Sequence, residues 1–331
     1  MKKIACAVLC LSVSACQPDR SSSDDYLKRL ENVLETTGQA SDIAVSKFPA
    51  PRDLKINFEP SELSIREFLS LRECKLHNTI AQRNSLIGKV ARPSQLLFND
   101  IRILEQGPDC LNILENATLS KKLNTFLDKK RNEITRSLWY GLLAQNEHTK
   151  FWSLSDTQLN TGVTTSLDAL SLFVTNVQTG RFDFNDQQFN DIEQHLGKLR
   201  FANGGLLLKR YAQLINTMNR ANSAVQQSLA KPLCLSGKPT TKAHYLKTVV
   251  NKYFIAKVQR EAIELNALSA KLMSSHHKLE QQLLAKANRA YKEWVQQRNK
   301  LLKLGKTATT THAKLLQRLY EQCGIEVGTQ P

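Results

Sequence analysis

The chain has 331 residues, of which 41% are hydrophobic, enough apolar material for a core at the upper edge of what one core serves. Lys and Arg number 46 against 30 acids, a formal charge of +16, and this bears on partners rather than fold. It favours anionic neighbours, and the absence of any Gly-x-Ser-x-Gly string or phosphate-cradling Gly loop removes the commonest hydrolase and nucleotide signatures.

Lys2 and Lys3 precede an apolar run from Ile4 to Val13 that is too short to span a bilayer, and small residues follow. The string Val13-Ser14-Ala15-Cys16 resembles a bacterial lipobox, in which small residues admit the peptidase and the cysteine is acylated. A cut before Cys10 is disfavoured by the bulk of Leu9. Residues 1–15 therefore read as a lipoprotein signal peptide, Cys16 as the lipidation site, and 16–24 as a tether containing Ser21-Ser22-Ser23. The position after Cys16 is Gln17 and not the aspartate of an inner-membrane retention signal, which points to the periplasmic face of the outer membrane. No later stretch reaches eighteen apolar residues.

Helical periodicity dominates the remainder, 25–331. Tyr26, Leu27, Leu30, Val33 and Leu34 form an amphipathic set ended by Gly38. Phe48 to Pro60 alternates apolar and polar residues and reads as an extended segment. Ser64-Ile65-Arg66-Glu67 is a capping box opening a helix through Cys74 and beyond, with a break near Pro93 and an end at Gly107-Pro108. A further helix starts at Ser120. Ser155-Asp156-Thr157-Gln158 offers a cap before a helix from Thr165 to Thr179 closed by Gly180.

Asn203-Gly204-Gly205 makes a turn, and Leu207 to Leu229 a long helix that Lys231-Pro232 ends. Residues 231–240 hold Pro232, Gly237 and Pro239 and are the best internal linker, hence the candidate sub-domain boundary. Tyr245 to Met273, Leu279 to Leu304 and Thr310 to Cys323 complete the pattern, the last stopping at Gly324. The expected class is all-α, an antiparallel, bundle-like multi-helix domain with nearly no strand.

The lipobox, "DDYLKRLENVLE", "FLSLRECKLHNTIAQRNSLIGKVARPSQ", "FWSLSD" and "KPLCLSG" followed by a helix with Tyr and Val-Gln resemble, in content and order, the uncharacterised Gram-negative lipoproteins grouped as domain of unknown function 3080. The resemblance covers most of the mature chain and implies an all-α periplasmic lipoprotein. That family has no assigned activity, so no functional residue is carried over.

Four cysteines remain after the leader and Cys16: Cys74, Cys110, Cys234 and Cys323. In an oxidising compartment an even number reads as two disulfides, and nearest pairing gives Cys74–Cys110 and Cys234–Cys323. A zinc site from Cys74, His77, Asp109 and Cys110 is the rival. His276 and Glu280 share a helix face, but one helix supplies only two ligands, with His312 the nearest further candidate, so His276-His277 reads as a solvated pair. Ser275-His276-His277-Lys278 matches a penicillin-binding nucleophile string without its companion motifs and is rejected. Phe151-Trp152-Ser153-Leu154 reads as an aromatic plug between helices, and Trp139 and Trp294 as core residues.

The segment from His276 to Lys306 carries eight cations against Glu280 and Glu293. Leu283, Leu284, Ala287, Tyr291, Trp294, Leu301 and Leu302 fit an inward stripe, so the cations are expected outward, with Lys292, Arg298, Lys300 and Lys303 binding an anionic surface. The functional expectation is a binding or scaffold protein anchored in the outer membrane. Its partners would be the membrane through the lipid, an envelope protein, or an anionic surface of phospholipid, lipopolysaccharide or peptidoglycan, and not nucleic acid. No cofactor, resident metal or catalytic residue is indicated. The alternative is an envelope hydrolase with dispersed residues, which would require convergent Glu, His or Asp in a cleft.

Overall fold

The computed structural model describes residues 21–58, 64–155, 160, 162–230, 233–235 and 238–325. The leader, Cys16, Pro60, Asp156-Thr157-Gln158 of the expected cap, and Lys231-Pro232 and Gly237 of the expected linker lie outside these residues. In chain order the helices are α1 (Ser22–Leu34), α2 (Pro51–Leu54), α3 (Ile65–Leu69), α4 (Lys75–Asn84), α5 (Leu86–Lys89), α6 (Pro93–Ile113) and α7 (Ala117–Leu143). They continue with α8 (Asn146–Phe151), α9 (Thr164–Gln178), α10 (Asp186–Leu199) and α11 (Gly204–Leu229). A two-residue antiparallel pair, β1 (Cys234–Leu235) and β2 (Lys238–Pro239), precedes α12 (Thr241–Val249), a π-helical stretch Val250–Gln259, α13 (Arg260–Leu283) and α14 (Arg289–Glu321). The fold is all-α. Among the described residues no helix is long and apolar enough to cross a membrane.

The chain divides into two compact units: Met1–Ser41, Thr217–Arg260 and Thr311–Pro331 form the first, Asp42–Asn216 and Glu261–Thr310 the second. In the first, α1 packs on α12 and the π stretch, burying Tyr26, Leu27, Leu30 and Leu34 against Leu246, Val250, Phe254 and Val258. Tyr26 donates to His312 Nε2 at 2.6 Å, and His312 Nδ1 lies 2.7 Å from Asn222 Oδ1. The amide oxygen can only accept, so His312 carries its proton on Nδ1 and its Nε2 is free to accept from the phenol. The disulfide Cys234–Cys323 closes this unit, with Cα atoms 5.4 Å apart.

In the second unit α6 and α7 run antiparallel through a three-residue connection, as short helix-helix links require. A methyl group on Gly107 would collide with Leu127 and one on Gly141 with Leu97, so a glycine on each helix sets their close approach. The disulfide Cys74–Cys110, with Cα atoms 5.3 Å apart, sits in a core of Leu71, Leu76, Ile80, Ile103, Leu119, Leu123 and Leu127. By loop-closure entropy each bridge contributes about 4 kcal/mol. Asp100 is buried beneath three donors, Arg83 at 2.5 Å, Lys130 at 2.9 Å and Ser137 at 3.0 Å.

A strap without regular structure leads from α1 to α2, and α11 clasps its peptide groups. In the first unit Thr36 donates to the Ala224 carbonyl (3.3 Å), the Gln39 amide to Ser223 Oγ (3.1 Å), and Gln227 Nε2 to the Thr37 carbonyl (3.2 Å). In the second unit Asn216 clasps Ile43 from both sides, accepting from its amide at 2.7 Å and donating to its carbonyl at 3.3 Å.

Several expected boundaries shift. The capping box at Ser64 and Glu67 forms fully, but its helix ends at Leu69, and a turn leads to α4, which begins after Cys74. The expected extended segment contains the single turn α2, opened by Pro51. Gly107-Pro108 does not end α6, which runs to Ile113: the packing of Gly107 on Leu127 and the bridge at Cys110 hold both sides of the proline. An interior proline costs about 3 kcal/mol, which this packing offsets. The helix expected from Ser120 starts at Ala117, capped by Asn116. Helix α10 was not expected from the sequence, though Phe189, Ile192, Leu196 and Leu199 space one face and Asn185 with Gln188 completes a capping box. The three C-terminal helices are differently divided: helical structure runs from Thr241 to Lys286, and α14 runs unbroken through Gly305. Any side chain at position 305 would strike the Tyr211 ring, so that glycine serves packing and not termination.

Candidate functional site

The densest collection of chemically active side chains lies inside the second unit, where α8, α13, α14 and the strap meet. Helix α13 places His276 and Glu280 one turn apart, α14 supplies Tyr291, Trp294 and Arg298, and the end of α8 supplies His148, Phe151 and Trp152. Arg298 grips Glu280 with both terminal nitrogens, at 2.9 Å and 2.6 Å, and Tyr291 donates to the same carboxylate at 2.9 Å. The guanidinium lies 5.2 Å from the Trp152 ring centroid and 5.0 Å from that of Trp294. It also donates to Asn299 Oδ1 at 2.8 Å, and its Nη2 lies 3.5 Å from His277 Nε2. Trp294 in turn donates to the Ser46 carbonyl at 3.2 Å, and Phe48 of the strap packs edge-on to it with ring centroids 4.8 Å apart.

Beside this ion pair, His148 Nε2 accepts from Trp152 Nε1 at 3.1 Å and faces His276 Nε2 at 3.2 Å. The indole N–H can only donate, so His148 carries its proton on Nδ1. Among the described residues His148 Nδ1 and His276 Nδ1 are buried without a hydrogen-bond partner. Burial pushes both imidazoles well below the usual histidine range, aided for His148 by the neighbouring His276 and for His276 by Arg298. Burial likewise pushes the Tyr291 phenol well above its ordinary value, with the Glu280 charge adding to the effect. These groups are held neutral by exclusion of water.

Two sequence expectations are corrected here. His276 is not part of a solvated pair: it is fully buried with Glu280, while His277 is half-buried with its Nε2 3.5 Å from Arg298 Nη2. Arg298 does not project outward. It is 2% exposed, because a cation placed on the inward stripe between Trp294 and Leu301 has found a carboxylate on the facing helix. Of the other three cations proposed for surface binding, Lys300 and Lys303 are exposed, and Lys292 is half-buried with its ammonium donating to the Ala285 carbonyl at 2.9 Å. Leu283, Ala287, Tyr291, Trp294, Leu301 and Leu302 are buried and Leu284 is half-buried.

The cysteines of the rival zinc reading are joined to each other, and His77 stacks on Phe68 with ring centroids 4.3 Å apart. His312 lies in the first unit with Tyr26 and Asn222, apart from the His276 site. Phe151 and Trp152 plug the interior, and Trp139 is fully buried. Sequence reasoning missed His148 altogether, since its partner His276 stands 128 residues away. The signal for Arg298 was present in its spacing from Tyr291 and Trp294.

An all-α chain with two disulfides and a water-excluded ionic centre is the class these features define. The chain belongs to the family of proteins of unknown function DUF3080, whose model matches residues 23–327. Searches of curated proteins and of solved structures give no match.

Proposed function

We propose that this protein is a periplasmic lipoprotein anchored in the outer membrane through Cys16, acting as a binding or scaffold protein at an anionic envelope surface. The observation that carries the reading is the outer side of α14, where Lys300 and Lys303 are exposed and, among the described residues, have no carboxylate within ion-pair distance. Uncompensated like charges on one helix repel, and an external anion relieves them. The hydrolase reading would need His148, His276 or Glu280 to meet a substrate, and each is buried and bonded to another member of the cluster.

Two experiments test the proposal. Wild-type cells should incorporate labelled palmitate into the protein and accumulate its precursor under globomycin, and Cys16→Ser should abolish both. Incorporation unchanged in that variant overturns the anchor. The non-lipidated mature chain should sediment with peptidoglycan sacculi at low salt and leave them at high salt, because exposed charge pairs are screened. Changing Lys292, Lys300 and Lys303 to Gln should weaken this binding. Arg298 stays unchanged, since altering it would disturb the interior. Equal binding by both proteins, or none dependent on salt, overturns the role of α14.

A further inference from the structure

From Thr241 to Arg260 the chain carries Lys242, Lys247, Lys252, Lys257 and Arg260 and no acidic residue. This stretch comprises α12, the π-helical segment and the first residue of α13, all in the first unit. Leu246, Val250, Phe254 and Val258, spaced by four, are its buried row. Lys252 and Arg260 fall two residues after members of that row, half a turn round the helix, and both are exposed together with Lys257 and Ile255. Hydrogen bonding from i to i+5 sets Lys252 and Lys257 one turn apart. Lys257 lies 5.3 Å from the Tyr253 ring centroid, and Arg29 of α1 lies 4.1 Å from it.

The acids of α1, the helix packed against this stretch, and its cap residue Glu35 are engaged with groups other than Lys252, Lys257 and Arg260. Asp25 pairs with Arg29 at 3.0 Å, Glu31 with Arg220 at 2.8 Å and Glu35 with Lys242 at 3.0 Å, and Asp24 accepts from Thr217 at 3.3 Å. Among the described residues Lys252, Lys257 and Arg260 are left with no carboxylate within ion-pair distance.

Position supplies the partner. Helix α1 begins at Ser22, six residues after Cys16, and a fully extended tether of that length reaches about 20 Å. The π stretch lies beside the first turns of α1, with the Tyr26 and Phe254 ring centroids 5.2 Å apart. We propose that the outward face of α12, the π stretch and the start of α13, led by Lys252, Lys257 and Arg260, docks on anionic phospholipid headgroups of the membrane that holds the anchor. This inference rests on the anchored reading of Cys16 for its placement. Each cation at an anionic bilayer is worth about a fivefold gain in partitioning.

The test uses the whole mature chain with Cys16→Ser, so that no lipid contributes, and vesicles rich in phosphatidylglycerol beside vesicles of phosphatidylcholine alone. The chain should bind the anionic vesicles at low salt, be released at high salt, and ignore the neutral ones. The variant K252Q/K257Q/R260Q should lose on the order of 100-fold in vesicle affinity, with an unchanged thermal melt. A charge-matched variant at exposed positions of the second unit, K121Q/K271Q/K278Q, should keep the parent affinity. Equal loss in the two variants would reduce the effect to net charge and overturn the face. Equal binding to neutral vesicles, or binding to sacculi with none to anionic vesicles, overturns lipid as the ligand. Failure of palmitate labelling removes the anchor without touching this result, which is read on a chain carrying no acyl group.

Discussion

Acidification from pH 7 to pH 5 should destabilise this protein steeply, by about 2 kcal/mol for each of His148, His276 and His312. All three are fully buried, and burial lowers each of them, His312 to about 3. In the unfolded chain they titrate near the ordinary histidine value of about 6.5. Above that pH neither state is protonated and the full stability is present. Below it the unfolded chain takes up protons that the folded chain refuses, so stability falls with each pH unit until the folded values are reached. Geometry opposes protonation as well as burial does. A proton on His148 Nε2 would face the donating N–H of Trp152, and the charge would lie near Arg298 with only Glu280 to oppose it. Thermal melts across this range should show the midpoint falling as pH drops, and His276→Gln, with a side chain that does not titrate, should flatten part of the slope. A midpoint independent of pH between 7 and 5 would contradict the buried neutral state of these rings.

Removing one partner of the Glu280–Arg298 pair should be the most damaging single substitution in the second unit. Arg298→Met leaves the Glu280 carboxylate buried with the Tyr291 hydroxyl as its one remaining donor in the cluster. An uncompensated buried charge of this kind costs about 3–5 kcal/mol, a large share of the 5–15 kcal/mol that holds a typical domain together. The double variant E280Q/R298M should recover most of the loss, because desolvation of the two charges nearly cancels their attraction in the parent. Denaturant melts of parent, both single variants and the double variant measure this coupling. Arg298→Met melting like the parent, or a double variant as unstable as the sum of the singles, would show that the pair is not coupled.

The parts of the fold legible in sequence were those where one segment carries its own reason. Helix α1 follows from its apolar spacing and the end of α9 from Gly180, whose φ of 90° suits glycine. Helix α11 instead starts at Gly204, three residues before the expected start, so the glycines expected in a turn open the helix and Asn203 accepts from the Leu206 amide. Errors arose where a residue's local preference is overruled by a distant neighbour. Gly107 and Gly305 look like helix stops until Leu127 and Tyr211 are seen against them. The interior site was half legible. Arg298 repeats the spacing of Tyr291, Trp294 and Leu301 and could have been read as inward from that alone, but cations are rarely buried unless paired. Its partner Glu280 lies on another helix, and His148 on a third, so nothing local announced the pairing.

The strap between α1 and α2 also divides sequence constraint unevenly. At four of its residues the clasps from α11 involve either a strap peptide group or, at Thr36, a hydroxyl meeting a helix carbonyl, while side-chain specificity comes chiefly from Asn216, Ser223 and Gln227. Any residue but proline offers the amide N–H used at Gln39 and Ile43, and any residue offers the carbonyl used at Thr37, so the strap's sequence is otherwise free to drift at these positions as far as these bonds are concerned. Gly38 is the exception, since a methyl group there would run into the Arg220 carbonyl. The instructions for where the strap lies are thus written in the helix it crosses.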